Sequence, residues 1–285
     1  MKQYTDLVLD QERALYGIKN AEVRHCVFDG PADGESALKE AGSLHIADCD
    51  FRLRYPLWHV DHSTLEECRM NADCRAALWY NKDVRLQKCS VGGIKAVREG
   101  RGISLEDCQI NSSEFGWKCR DLSLSRCSLV SEYPFLDCQD VKISRLDMKA
   151  KYSFQYVKNL SIRHSVLDTK DAFWHSENVT VEDSLVKGEY LGWYSKNLTF
   201  INCKIMGTQP LCYAKSLVLK NCEMIDADLA FEYSEVQADI TTDIISVKNP
   251  QKGYIRAAHI GEIILDENRL PGANCQIIQQ CPVEA

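Results

Sequence analysis

Apolar and polar positions alternate along most of this chain in one recurring line. It reads apolar, any residue, apolar, two residues, a small residue that is most often Cys, any residue, apolar, then a short polar break and a second apolar run. Leu122, Leu124, Cys127 and Leu129 write it once; Val179, Val181, Ser184 and Val186 write it again. Cys26, Cys49, Cys68, Cys89, Cys108, Cys127, Leu146, Ser165, Ser184, Cys203 and Cys222 all hold the same place in it. The steps between them are 23, 19 and 21 residues, then 19 throughout.

A fixed period means that each copy stacks on the next and that equivalent residues form ladders. Alternation at period two, with many β-branched residues, makes the local unit a strand. Two repeat architectures use such a line, the leucine-rich repeat and the parallel β-helix. A period of 19 lies just under the leucine-rich range of about 20–29. The second half of each copy, "YLGWYS" or "DAFWHSE", reads as extended and aromatic where a leucine-rich repeat places a helix. The expectation is therefore an all-β chain: one right-handed parallel β-helix of eleven or more coils with three short strands per turn. One domain is expected over 1–285, with a cap or first coil at 1–20, regular coils at 21–234, and irregular coils, a cap and a tail at 235–285.

This geometry accounts for the cysteines. Strands about 4.8 Å apart stack one ladder residue on the next, and a small polarizable thiol packs well in such a slot. Ser and Leu fill the same slot, which suits packing and not chemistry. None of the 14 cysteines makes a C-x-x-C pair, so no metal site and no cofactor is expected. The thiols are expected reduced, with Cys275 and Cys281 in the tail as the candidate exception.

Nine residues beyond the ladder, a column holds Trp58, Trp117, Trp174 and Trp193; Trp79 joins it once the two extra residues of its coil are allowed for. The next column holds His59, Tyr80, Glu99, Lys118, Asp137, Tyr156, His175, Tyr194 and Tyr213, and should face water. Tyr55, Lys95, Glu114 and Asp171 stand four columns earlier, on the same face of a regular strand. Stacked aromatics stabilise a strand face by roughly 0.2–1 kcal/mol per pair, and Glu99, Lys118 and Asp137 alternate in sign like a solvated salt-bridge ladder. As a set, the row also suits an extended polyhydroxylated ligand. The substrate-binding candidates are Tyr55, Trp58, His59, Trp79, Tyr80, Trp117, Asp137, Tyr156, Asp171, Trp174, His175, Trp193, Tyr194 and Tyr213. The extra loop "FDGPADGESALKEAG" adds Asp29, Glu35, Ser36 and Lys39 beside one end of the face.

Charge narrows the partners. A net charge of −7 with dispersed basic residues argues against nucleic acid. No stretch approaches the roughly 20 apolar residues of a membrane span. The start lacks the apolar core of a secretory signal, so a cytoplasmic location is expected. The string "HVDH" (His59, Asp61, His62) looks like a metal cluster, but the alternation separates its members.

Catalytic candidates are Lys95, Arg98, Glu99 and Glu114. A lyase would use Lys95 or Arg98 as base, tuned by an acid; a glycosidase would need two carboxyl groups about 5–9.5 Å apart. Neither arrangement is specific on an acid-rich coil.

The strings "DGES", "YPLWH", "RAALWY", "DAFWHSENVTV", "GEYLGW", "GTQPLCY", "DLAFEYS" and "SVKNP" resemble an uncharacterised bacterial family, domain of unknown function 3737, over almost the whole chain. The resemblance implies a right-handed β-helix of the pectate-lyase-like kind and no established activity. No catalytic set of a pectate lyase maps onto the chain, and the paired-Asp strings of polygalacturonases are missing. The expected function is carbohydrate recognition along the aromatic face, with or without processing. The alternatives are a scaffold that binds a protein or a second copy of itself, and a polysaccharide lyase or glycoside hydrolase.

Overall fold

The computed structural model describes residues 1–30 and 36–279. Contacts divide the chain into two compact units, Met1–Met148 and Lys149–Ala285. Each is built as a right-handed parallel β-helix. Glu35 and Cys281 lie outside the described residues.

In the first unit one face of the coil is a stack of parallel strands: Lys2–Thr5, Lys19–Arg24, Gly42–Ala47, Asp61–Glu66, Lys82–Gln87, Arg101–Glu106, Arg120–Ser125 and Gln139–Ser144. Lys2 faces Ala21, Lys19 faces Gly42, Gly42 faces Asp61, Asp61 faces Lys82, and Lys82 faces Arg101. These offsets reproduce the steps of the sequence, one coil per copy of the line, and Lys2–Thr5 already belongs to the stack. A second face is made of two- and three-residue strands such as Arg69–Met70, Ser90–Gly92 and Gln109–Asn111.

The second unit repeats the plan with Lys158–Arg163, Glu177–Glu182, Lys196–Ile201, Leu217–Ile225, Glu235–Ile240, Lys252–Ala257 and Gln276–Gln279. Beyond Glu235 the coils continue with a changed step, as Glu235 faces Lys252 and Tyr254 faces Gln276.

Inward positions close the core. Leu122, Leu124 and Leu129 are buried in the first unit, as are Val179, Val181 and Val186 in the second. Phe rings stack between coils, Phe28 on Phe51 at 4.9 Å and Phe154 on Phe173 at 5.2 Å. The ladder residue has a further task. Cys108 Sγ donates to Glu106 O at 3.3 Å, and Ser184 Oγ donates to Glu182 O at 2.6 Å. The residue before it turns the corner in the left-handed region, as at Asp107 (φ 55°) and Asp183 (φ 47°), a conformation that Asp and Asn tolerate best after Gly. The described cysteines, Cys275 among them, are free thiols.

The third side departs from the expected three strands per coil. It is a strand at Leu57–Trp58, Leu78–Trp79 and Val97–Arg98. In the second unit it is first a pair of left-handed corners two residues apart and then a strand again at Ile244–Lys248 and Ile260–Ile264, where Ala230 bridges to Val247. Phe154 and Tyr156, Phe173 and His175, and Leu211 and Tyr213 all have φ between 53° and 65°. A bulky residue in that region costs about 1–2 kcal/mol; the complete burial of Phe154, Phe173 and Leu211 offsets it. The backbone remains tied to neighbouring coils, Phe173 N to Ser153 O at 2.9 Å and His175 N to Trp193 O at 3.0 Å. Among the described residues no helix is long and apolar enough to cross a membrane.

Candidate functional site

The third side carries the aromatic columns in both units. In the first unit Trp58 stacks on Trp79 with ring centres 5.2 Å apart, and Tyr55 leans on both at 5.7 and 5.8 Å. Lys39 lies over the ring of Trp58 at 3.9 Å. Further along, Arg98 stands 5.6 Å over Trp117, and Tyr133 packs edge-on to that indole at 5.4 Å. Trp117 Nε1 donates to Tyr133 O at 2.6 Å. In the second unit Trp174 and Trp193 repeat the arrangement, donating to Tyr190 O at 2.7 Å and Gln209 O at 2.9 Å. These three indoles are thus tied to the backbone of the next coil, whereas Trp58 and Trp79 have buried Nε1 atoms without a hydrogen-bond partner. Sequence reasoning passed over the 16-residue spacing from Trp to the Tyr55 column, and Trp79 and Lys95 share that spacing without the bond.

One column further round, His59, Tyr80, Tyr156, His175 and Tyr194 are exposed, as expected. Their rings, however, lie on one another. Tyr156, His175, Tyr194 and Tyr213 form a stack at 5.0, 5.0 and 4.8 Å with planes within 13° of parallel. Faces inside such a stack are occupied by neighbouring rings, so it offers edges and hydroxyls to solvent. Burial, then Glu232, pushes the Tyr213 phenol up to about 12. Burial also raises the Asp171 carboxyl, Lys170 opposes this, and Glu189 adds to it. One oxygen of Asp171 is buried without a hydrogen bond.

A cleft lies in the first unit, where the third side meets the six-residue strands. It encloses about 560 Å³ and is lined by Glu40, His59, Asp61, Tyr80, Lys82, Glu99 and Arg101, over the backbone of Val60 and Asn81. Asn81 is buried, and its amide has no hydrogen-bond partner; alternation turns it inward, away from the cleft. His59 meets Tyr80 edge to face at 5.1 Å and pairs with Glu40 at 3.2 Å. Tyr80 stacks on Trp79 at 5.1 Å, and its interaction with the nearby Glu99 carboxylate raises its phenol. Burial pulls the Glu99 carboxyl upward, but Tyr80 and Arg98 outweigh it and the net shift is downward.

The four catalytic candidates form two separate ion pairs. Arg98 Nε meets Glu99 Oε1 at 2.9 Å, and Lys95 Nζ lies 3.6 Å from Glu114 Oε2. Glu99 lines the cleft and Lys95 and Glu114 do not. The partner of Glu99 is Arg98 of its own coil, so the alternating ladder expected through Lys118 and Asp137 does not form there. A carboxylate held down by an arginine and a phenol is a weak proton acceptor.

The loop candidates disperse. Asp29 pairs with Arg52 at 3.4 Å, Ser36 is buried in a left-handed turn, and Lys39 caps Trp58. The residues of "HVDH" diverge too: His59 goes to Glu40, Asp61 to Lys19 at 3.6 Å, and His62 to Asp83 at 3.4 Å. Among the described residues no group of three His, Cys, Asp or Glu gathers at metal-binding distance.

A protein family described as "Protein of unknown function (DUF3737)" matches residues 2–278. The chain belongs to the DUF3737 family. No curated protein matches this DUF3737 chain in sequence. Its fold is similar to the A-module of the Azotobacter vinelandii mannuronan C-5 epimerase AlgE6, with 10% identity, TM-score 0.39, and 98% and 89% of the two chains covered. It is similar also to PfbA, a surface adhesin of Streptococcus pneumoniae, with 8% identity, TM-score 0.37, and 85% and 77% covered. A third is tailspike protein 3 of bacteriophage CBA120, with 9% identity, TM-score 0.37, and 98% and 56% covered. At these scores the likenesses carry no argument about what a DUF3737 protein does.

Proposed function

We propose that the protein binds a carbohydrate chain in the corner cleft of its first unit. The observation that supports this best is the lining: an exposed Tyr80 and His59 set between hydrogen-bonding and charged groups in an open cleft. Sugars present hydroxyls to such groups and C–H edges to rings, and sites of this kind combine apolar walls with a few placed polar groups. The aromatic stack of the second unit plays a structural part, since its ring faces are spent on one another. The reading is of binding; the interactions with Tyr80 and Arg98 that lower the Glu99 carboxyl make it a poor proton donor for cleavage.

The test is a thermal-shift screen of the full chain against neutral and acidic oligosaccharides. A ligand present at 100 times its dissociation constant stabilises the folded chain by about 2.7 kcal/mol. The expected result is a rise in Tm with one sugar class, lost in Tyr80→Ala and kept in Tyr194→Phe. A panel without any shift, or a shift that Tyr80→Ala leaves intact, overturns the assignment.

A further inference from the structure

The cleft has a charge that the composition hides. Of the acids lining it, Asp61 pairs with Lys19 and Glu99 with Arg98, while Glu40 meets His59, a charge partner only when that ring is protonated. Lys82 and Arg101 line the same cleft and, among the described residues, make no ion pair; Asp61 faces Lys82 in register but turns to Lys19. The two cations face each other in strand register, and Arg101 in turn faces Arg120, whose guanidinium donates to the neutral Gln139 at 2.7 Å. Three cations therefore stand in line on successive coils, about 4.8 Å apart.

Like charges opposite one another in a sheet are destabilising. In the second unit the same column alternates through Lys158, Glu177 and Lys196, with an ion pair at 3.6 Å between the first two, before Lys196 meets Lys215. In the first unit the basic line runs over three coils, and its Lys82 and Arg101 line the cleft.

We infer that the ligand of this cleft is an anionic saccharide, with carboxylate or sulfate groups on successive sugar units that meet Lys82 and Arg101. The inference rests on the carbohydrate reading above and adds the substrate class. The guanidinium offers a fork of donors to a planar carboxylate, and the ammonium is a mobile point charge for the next unit. The ring hydroxyls fall to Tyr80, His59 and Glu99. Partly exposed pairs of this kind weaken with salt.

The experiment is calorimetric titration of the full chain at low and high salt with tetragalacturonate, its methyl ester, and a sulfated tetrasaccharide. The ester keeps every hydroxyl and removes the charge. The expected result is binding of the acid about tenfold tighter than the ester, in line with charge-assisted hydrogen bonds, and a loss of that preference at high salt. The double variant Lys82→Gln, Arg101→Gln should bind acid and ester alike. Both positions are exposed, so an unchanged Tm shows that the variant is folded. Binding of the sulfated sugar alone assigns the anion as sulfate; binding of the galacturonate alone assigns it as carboxylate. Equal affinity for acid and ester in the unaltered chain, or a preference that survives the double variant, overturns the anionic class and leaves the carbohydrate reading standing. No binding by any of the three sugars overturns both.

Discussion

At the scale of single residues, the ladder slot is a hydrogen-bonding position as much as a packing one. A polar occupant donates to the carbonyl two residues earlier whether it is a thiol, as at Cys203 (3.3 Å), or a hydroxyl, as at Ser165 (2.8 Å); the side chain of Leu146, buried in the same slot, carries no such donor. Cys108→Ser should therefore cost no more than about 1 kcal/mol, the net worth of one ordinary hydrogen bond. Cys108→Val fills the slot but loses the thiol's bond, while Glu106 O keeps its bond from Lys88 N at 2.9 Å, and should cost about 0.5–1.5 kcal/mol, more than the serine variant. Urea denaturation of both variants measures the difference; a valine variant more stable than the serine one would make the slot purely steric. Asp171 supplies a pH test. Its carboxyl is raised in the folded chain, so the folded state disfavours the ionised form. The stability it contributes is fully present below the unfolded value, about 3.9, and is lost as pH rises through the folded one. Asp171→Asn should raise Tm at neutral pH, by no more than about 2 °C for a half-buried group, and the gap should close by pH 3.5. A gap that widens on acidification would mean that Asp171 is stabilised as the anion.

Elements show where the chain could be read and where it could not. The long strands were legible because Leu and Val at alternate positions, with a small residue three further on, report burial directly. Every step from Cys26 to Leu146 and from Ser165 to Cys222 reappears as a pairing offset within one unit or the other, including the irregular 23 and 21. The third side was not legible in the same way. "DAFWHSE" is apolar and aromatic like a strand, yet Phe173 and His175 sit in left-handed corners. Sequence reading expects Gly, Asn or Asp at such corners, because they adopt them at least cost. Here the burial of a Phe ring meets that cost, and burial of this kind is visible only once the coils are stacked. The candidate site divides for the same reason. Which columns face outward followed from alternation. That the rings of Tyr156, His175 and Tyr194 cover one another, and that Glu99 turns back to Arg98, follows from side-chain directions that spacing alone does not encode.

For the whole molecule, the consequence of coil stacking is that damage should spread by distance along the stack. In a repeat array stability is close to a sum of coil and neighbour terms, so a lesion in one coil loosens its neighbours first. Gly93 offers a clean lesion in the first unit. Its φ is +84°, and a Cβ there would lie 1.7 Å from Cys74 O, which is backbone and cannot swing aside. Gly93→Ala combines a left-handed penalty with that collision, and a cost of about 2–4 kcal/mol is expected. Amide hydrogen exchange gives the spatial reading that a melting curve lacks. Protection should fall most in Arg69–Met70, Ser90–Gly92 and Gln109–Asn111, the strands that pair around the turn. It should fall less in Gly42–Ala47 and least in Lys2–Thr5. The cleft borders the damaged coils through Tyr80, Lys82 and Glu99, so the same variant should also lose glycan-induced stabilisation. A uniform loss of protection from Lys2 to Ser144 would show that the first unit opens as one cooperative block. In that case each coil draws its stability from the unit as a whole, and sums over nearest neighbours do not describe it.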